Sequence, residues 1–217
     1  GIPHRTTIAH RVQLPVKTGW WRGLGLLANT FALESFMDEL AYKAGKDPLE
    51  YRLTHFDNSD TGTRFKAVLG AAAEAAGWGK DLPAGHAHGI ACSSDVRTIC
   101  AQVAEVSVED GRIRIHKMTA AIDPGLVINP DGVRAQTQGS IVMGLSSTFL
   151  ERLTFKDGLP EAANFDRYPL LTIKDTPDIE VVLLESGDEP FGMGEPPLGP
   201  VAAATANAVF ALTGQRL

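Results

Sequence analysis

Gln102-Val-Ala-Glu-Val-Ser-Val-Glu109, then Asp110-Gly111, then Arg112-Ile-Arg-Ile-His-Lys-Met118 is the stretch on which the fold turns. Apolar and polar residues alternate on both sides of an Asp-Gly pair, the pattern of two antiparallel strands joined by a tight primed turn. Upstream the period is helical. Residues 31–44 bring Phe31, Ser35, Leu40 and Ala44, with Phe36 and Met37 beside them, near one stripe that Gly45 closes. Asp47 and Pro48 provide the N-cap and first position of a second helix over 49–55, and a third runs over 63–76 to Gly77. A polar, glycine-rich connection covers 80–89. Downstream of the hairpin the pattern predicts a helix over 130–145, a strand over 149–155, the turn Lys156-Asp157-Gly158, a strand over 179–184, and a helix over 201–213 between Pro200 and Gly214. Helices and strands arrive in blocks, so the expected class is α+β, without internal repeats. A division into a helical segment, 1–80, and an α+β domain, 81–217, follows.

The 217 residues carry a formal charge of −6 and a pI near 5.5, with no run of Lys or Arg, which argues against nucleic acid as a partner. No segment approaches the roughly 20 apolar residues that cross a bilayer, and Gly1-Ile-Pro-His does not read as a signal peptide. The start without methionine and the end at Gln215-Arg216-Leu217 suggest a piece of something longer. Cys92 and Cys100 have neither metal-ligand spacing nor a disulfide framework and are expected as free thiols in or beside strands. The six histidines make no metal-site spacing, and His86 and His88 are expected at the surface of the connection.

Near the C-terminus, Gly192-Met-Gly-Glu195-Pro-Pro-Leu-Gly-Pro200 sets one carboxylate between glycines, which allow close backbone approach, and prolines, which fix φ. Glu195 is thereby expected to be held just outside the positive end of the following helix; a surface turn with one acid is the alternative. Asp123-Pro-Gly-Leu-Val-Ile-Asn-Pro130 leaves a strand and opens a helix bearing Gln136, Gln138 and Gly139. Gln136 and Gln138 lie about 200° apart on that helix, so at most one faces a given ligand; a solvated amide is the alternative. In Thr18-Gly-Trp-Trp-Arg-Gly-Leu-Gly25, Arg22 and the glycine amides suit an anionic oxygen, while Trp20 and Trp21 read as pocket residues or, for at least one, as a core or interface anchor. No nucleophile elbow, phosphate loop or dinucleotide fingerprint is present, which leaves hydrolase and nicotinamide chemistry without their usual support.

Taken in order, several of these segments resemble the molybdenum-cofactor-binding large subunit of the xanthine oxidase family, and within it the isoquinoline 1-oxidoreductase beta-subunit branch. The resemblance rests on Trp21-Arg22-Gly23, Glu34-Ser-Phe-Met-Asp-Glu39, Gly45-Lys-Asp-Pro48, Ala101-Gln-Val-Ala-Glu-Val106, Asp123-Pro-Gly125 and Asn129-Pro130. It continues through Arg134-Ala-Gln136, Gly139, Gly144-Leu-Ser146, Asn164-Phe-Asp166, Tyr168-Pro169 and Gly194-Glu-Pro196.

The resemblance implies the C-terminal portion of a molybdenum hydroxylase large subunit, with its molybdopterin-binding fold, acting on an aldehyde or N-heteroaromatic carbon. Glu195 would be the catalytic base beside the metal, and Gln136 would contact the pterin. Gly139, Arg22, Gly23 and Gly194 would be further cofactor-binding positions, with no protein ligand to the metal. It implies a molybdenum–pterin cofactor, with the cytosine dinucleotide form as one option, and iron–sulfur clusters on a partner subunit, because two cysteines fall short of the usual four. The family's Met-Gly-Gln-Gly-type loop is absent, so an N-terminal remainder or a separate chain would supply it. The compartment, cytoplasmic or periplasmic, stays open, and a non-catalytic split module remains the alternative.

Overall fold

The structure is a computed structural model describing residue 4 and residues 6–217. Of the Gly1-Ile-Pro-His start, only His4 falls within the described residues. The chain runs α1 (Leu26–Lys43), α2 (Pro48–His55), α3 (Asp60–Ala76), β1 (His86–Asp95), β2 (Thr98–Glu109), β3 (Arg112–Asp123) and α4 (Pro130–Phe149). It then continues through a small hairpin, β4 (Phe155–Lys156) with β5 (Leu159–Pro160), to β6 (Asp178–Leu183), a 3-10 turn (Pro196–Leu198) and α5 (Pro200–Thr213). The main sheet has the order β1-β2-β3-β6, antiparallel except for the parallel β3–β6 pair. The class is α+β, as expected.

Asp110 and Gly111 both take positive φ, as the primed turn between β2 and β3 requires, and the register is continuous apart from a bulge at Glu105/Val106. The structure adds a strand that the sequence pattern did not predict. β1 takes the last four residues of the supposed connection, 86–89, and runs on to Asp95, pairing with all but the end of β2 through a turn at Val96-Arg97, where both residues are left-handed. Neither is a customary residue for that conformation. The turn is secured by Asp95, which accepts from the Val96 amide at 3.0 Å, and by Arg97, which bonds Glu189 at 2.5 Å and lies over the Phe191 ring.

The sheet is covered on both faces. Ile90, Cys92, Ile99, Ala101 and Val103 pack against Val68, Leu69 and Ala72 of α3, while Ala91, Ala104, Met118 and Ala120 pack against α4 and α5. Cys92 and Cys100 are buried free thiols, and burial holds both above the ordinary thiol value, Cys100 at about 12. α5 approaches β1 so closely that a Cβ on Gly89 would collide with the Ala204 and Ala208 backbone. Its alanines leave room for that contact.

Four expectations are corrected. α1 begins at Leu26 and buries Thr30, Glu34, Ser35, Asp38 and Ala41, whereas Phe36 is exposed. The buried stripe is polar because Arg52 of α2 enters it, donating to Glu34 Oε2 at 2.8 Å, to Asp38 Oδ1 at 3.1 Å and to the Glu34 carbonyl at 2.8 Å. α4 persists to Phe149, and the strand expected over 149–155 shrinks to Phe155–Lys156 because 151–154 have no strand partner. His86 and His88 lie on β1, half-buried: His86 pairs with Glu105 at 2.7 Å and stacks on His116, and His88 stacks on Trp78. Trp20 and Trp21 are 92% and 59% exposed, which corrects the core half of their core-or-interface alternative and leaves the interface half.

Candidate active site

Three segments far apart in sequence converge beside the N-terminal end of α5. The first is a turn, 21–24, that feeds α1. Gly23 and Leu24 both take positive φ, and the turn is closed by the Leu24 amide on the Trp21 carbonyl at 2.9 Å. Gly23 is buried, and a Cβ there would stand 2.6 Å from Leu198 Cδ2, so glycine is required on two counts. The second is the exposed face of α4, whose start is set by Asn129 capping the Gly132 amide and by Pro130. The third is the loop 192–197.

Arg22 ties the three together. Its Nε donates to the Gly194 carbonyl at 2.5 Å, and its Nη2 donates to Gln136 Oε1 at 2.7 Å and to the Gln136 carbonyl at 3.2 Å. Gly139, one turn along α4, faces Arg22, a Cβ there standing in ordinary contact, 3.6 Å, with Arg22 Nη1. The Gly23 amide donates to Glu195 Oε1 at 3.0 Å. Arg22, Gly23, Gln136, Gly139, Gly194 and Glu195 thus form one constellation. The Gln138 side chain makes no hydrogen bond among the described residues, so of the two amides it is Gln136 that points here. Partial burial lowers the Arg22 pKa, and the nearby Glu195 carboxylate works against that shift. An arginine can only donate, so it orients the Gln136 oxygen inward and leaves the amide nitrogen as the group offered outward.

Gln136 also lines a cleft of about 610 Å³ bounded by Asn129, Val133, Phe191 and Met193 among others. Behind it, burial pushes the Asp123 carboxyl up, but bonds from Arg64 (2.6 Å), the Gly125 amide (3.0 Å) and Ser186 (3.0 Å) hold it below the ordinary carboxylate range. Asp123 therefore braces the β3–α4 corner as an anion. Among the described residues no three His, Cys, Asp or Glu side chains are grouped to hold a metal ion, and no helix is long and apolar enough to cross a membrane. Glu195 does not abut α5 as expected: the 3-10 turn Pro196–Leu198 intervenes, and Glu195 is the cap of that turn. Thr98 and Gln102, buried polar residues of β2 that bond the 192–197 loop, were not among the expected site residues.

A sheet covered by helices on both faces thus carries, at one edge of α4, a carboxylate held by a backbone amide beside an arginine–glutamine pair. The chain belongs to the molybdopterin cofactor-binding domain family, whose pattern matches residues 32–177. It is similar to one of the subunits of the nicotinate dehydrogenase of Pseudomonas putida, with 33% identity over 98% of this chain and 19% of that protein. It is likewise similar to the beta subunit of isoquinoline 1-oxidoreductase of Brevundimonas diminuta, with 33% identity over all of this chain and 28% of that one. The fold matches the aldehyde oxidoreductase of Desulfovibrio desulfuricans with a TM-score of 0.71 at 15% identity, over 91% of this chain and 40% of that one. The chain therefore spans less than a third of the length of these two sequence relatives.

Proposed function

We propose that this chain forms the base-bearing part of a molybdenum hydroxylase active site, one that inserts a water-derived oxygen at an aldehyde or N-heteroaromatic carbon. The residues present fit a molybdenum–pterin cofactor: the Gln136 amide offers a donor, and Arg22 places a cation beside it. Gly139 and Gly194 complete that rim by keeping its backbone uncovered. When bound, the cofactor supplies the Lewis acid and the two-electron chemistry, which the protein's own side chains lack.

The chain's contribution is a proton acceptor of fixed geometry. The observation that carries the reading is the Gly23 amide on Glu195 Oε1, a bond across 172 residues that orients the carboxylate. Oε2 has no partner among the described residues and is the atom that takes the proton. Glu195 is half-buried, sheltered enough to be positioned and open enough to be reached.

Electrons leave through iron–sulfur clusters on a partner subunit, a reading supported by the burial of both thiols of this chain. The exposed Trp20, Trp21 and Leu24, in and beside the 21–24 turn, suit coverage by the N-terminal remainder of the large subunit. Residues 1–80 would supply Arg22 and Gly23, and 81–217 the rest. The cytosine dinucleotide form of the cofactor is part of the same proposal. The short span of the relatives that this chain covers favours one alternative, a split module that folds but does not hold cofactor alone.

The test is Glu195→Gln in the complete enzyme, with molybdenum and pterin content measured beside turnover. Cofactor content should be unchanged and turnover should fall by about a hundredfold or more. Near-normal turnover would exclude the role. Stoichiometric cofactor in a preparation containing this chain and its neighbours, but none in this chain alone, would mark a site shared between chains.

A further inference from the structure

We infer that Thr98 and Gln102 are positioning residues for the Glu195 carboxylate, an inference that rests on the proposed role of Glu195 as base. The two lie four residues apart on β2 and hence on one face of the sheet. Both are fully buried. Thr98 Oγ1 donates to the Gly192 carbonyl at 2.6 Å, and Gln102 Nε2 donates to the Pro197 carbonyl at 2.6 Å. Cys100, between them on the same face, packs in a cluster with Met193. One strand therefore grips both ends of the loop that carries Glu195.

The spacing explains the shape of that loop. Four residues of β2 rise about 13 Å, whereas the five steps from 192 to 197 reach about 17 Å when extended. Pinned at both ends, the loop has slack and arches off the strand at Gly194 and Glu195. The arch is then fixed from above by Arg22 on the Gly194 carbonyl and by Gly23 on the carboxylate, and from within by the Leu198 amide on the Glu195 carbonyl at 2.9 Å. Were either lower bond lost, the slack would be free to redistribute and the carboxylate would wander relative to Gly23. Gln102 is an unusual choice for a purely structural position, because its Oε1 has no partner among the described residues. A buried amide with one half unpaired adds little net stability, so its donor on Pro197 is its main effect.

The experiment uses the complete enzyme with Gln102→Met and Thr98→Val, which keep shape and remove the donors, and Thr98→Ser, which keeps the hydroxyl. Each is made in the wild type and in the Glu195→Gln background. In the wild-type background both donor-deleting variants should lose roughly ten- to a hundredfold in kcat with KM little changed, the scale on which small misplacements act. Thr98→Ser should restore most of it. In the Glu195→Gln background the same substitutions should cause little further loss. Independently of activity, hydrogen exchange at the Gly23 amide, which touches neither residue, should quicken in Gln102→Met. Equal fractional losses in both backgrounds, or unchanged Gly23 exchange, would overturn the inference while leaving Glu195 as the base. If Glu195→Gln alone keeps normal turnover, the proposed function falls and this inference falls with it.

Discussion

Replacing Arg52 by leucine should remove more stability than the loss of any other single side-chain contact described above. The guanidinium is 1% exposed and donates to Glu34 Oε2, the Glu34 carbonyl, Asp38 Oδ1 and the Pro48 carbonyl at 2.8 to 3.1 Å. Leucine fills much of the volume but strands two carboxylates, and removing one partner of a buried ion pair costs about 3–5 kcal/mol. Arg216 still reaches Asp38 at 3.5 Å and the Cys92 amide still reaches Glu34 at 3.0 Å, which argues for the lower half of that range. At about 2–4 °C per kcal/mol for a chain of this size, the midpoint should fall by roughly 6–15 °C. The measurement is urea and thermal unfolding followed by circular dichroism.

The pH dependence carries a second check. Burial holds the Asp38 carboxyl above its ordinary value even though Arg52 and Arg216 draw it down. A carboxyl raised on folding favours the folded state while protonated and costs stability as pH rises through its folded value. Without Arg52 it rises further, so the deficit of the variant against wild type should be largest at neutral pH and shrink as the pH falls toward about 5. Adding Asp38→Asn should recover part of the loss. A loss under about 1 kcal/mol, or a deficit that grows on acidification, would refute the argument that a stranded buried charge is what destabilises the variant.

Gly23→Ala should cost roughly 2–4 kcal/mol from a left-handed alanine and its overlap with Leu198, and should lower turnover as well, measured by unfolding and by steady-state kinetics. Gln136→Ala, on an exposed helix face, should leave the unfolding midpoint near wild type but reduce molybdenum and pterin retained on gel filtration; full retention would count against contact with the cofactor. Cys92 and Cys100 should fail to react with a thiol reagent near about pH 8 until the chain is unfolded, because buried thiols held well above that pH supply almost no thiolate.

What could be read in advance was what local chemistry dictates. Asp110-Gly111 announces the β2–β3 turn, Asp47-Pro48 starts α2, Asn129-Pro130 starts α4, and Gly77 and Gly214 close α3 and α5 with φ of +71°. β1 was hidden because its turn is Val96-Arg97, which carries none of the usual turn residues. Its cover on both faces also leaves no clean alternation. The polar stripe of α1 was hidden for a different reason: Glu34 and Asp38 are tolerable inside because Arg52, the Cys92 amide and Arg216 arrive from other segments to partner their carboxylates. At the site, the resemblance singled out six residues that the fold brings together, yet it could not order them. That Gln136 is turned by Arg22, and Glu195 by the Gly23 amide, depends on contacts across more than a hundred residues. Gln102 left one trace, an amide at an inward position beside Cys100, Ala101, Val103 and Ala104.

Those long separations also set a timetable. The turn at 21–24 is made before the glutamine on α4, and that glutamine before the carboxylate, and the three meet only through contacts 114 to 172 residues apart. Contacts so far apart form late in folding, after the local elements are in place. A nascent chain therefore has helices and a hairpin before it has a pocket. A ligand that touches all three segments would find its site only after residue 197 has been made and the sheet has closed.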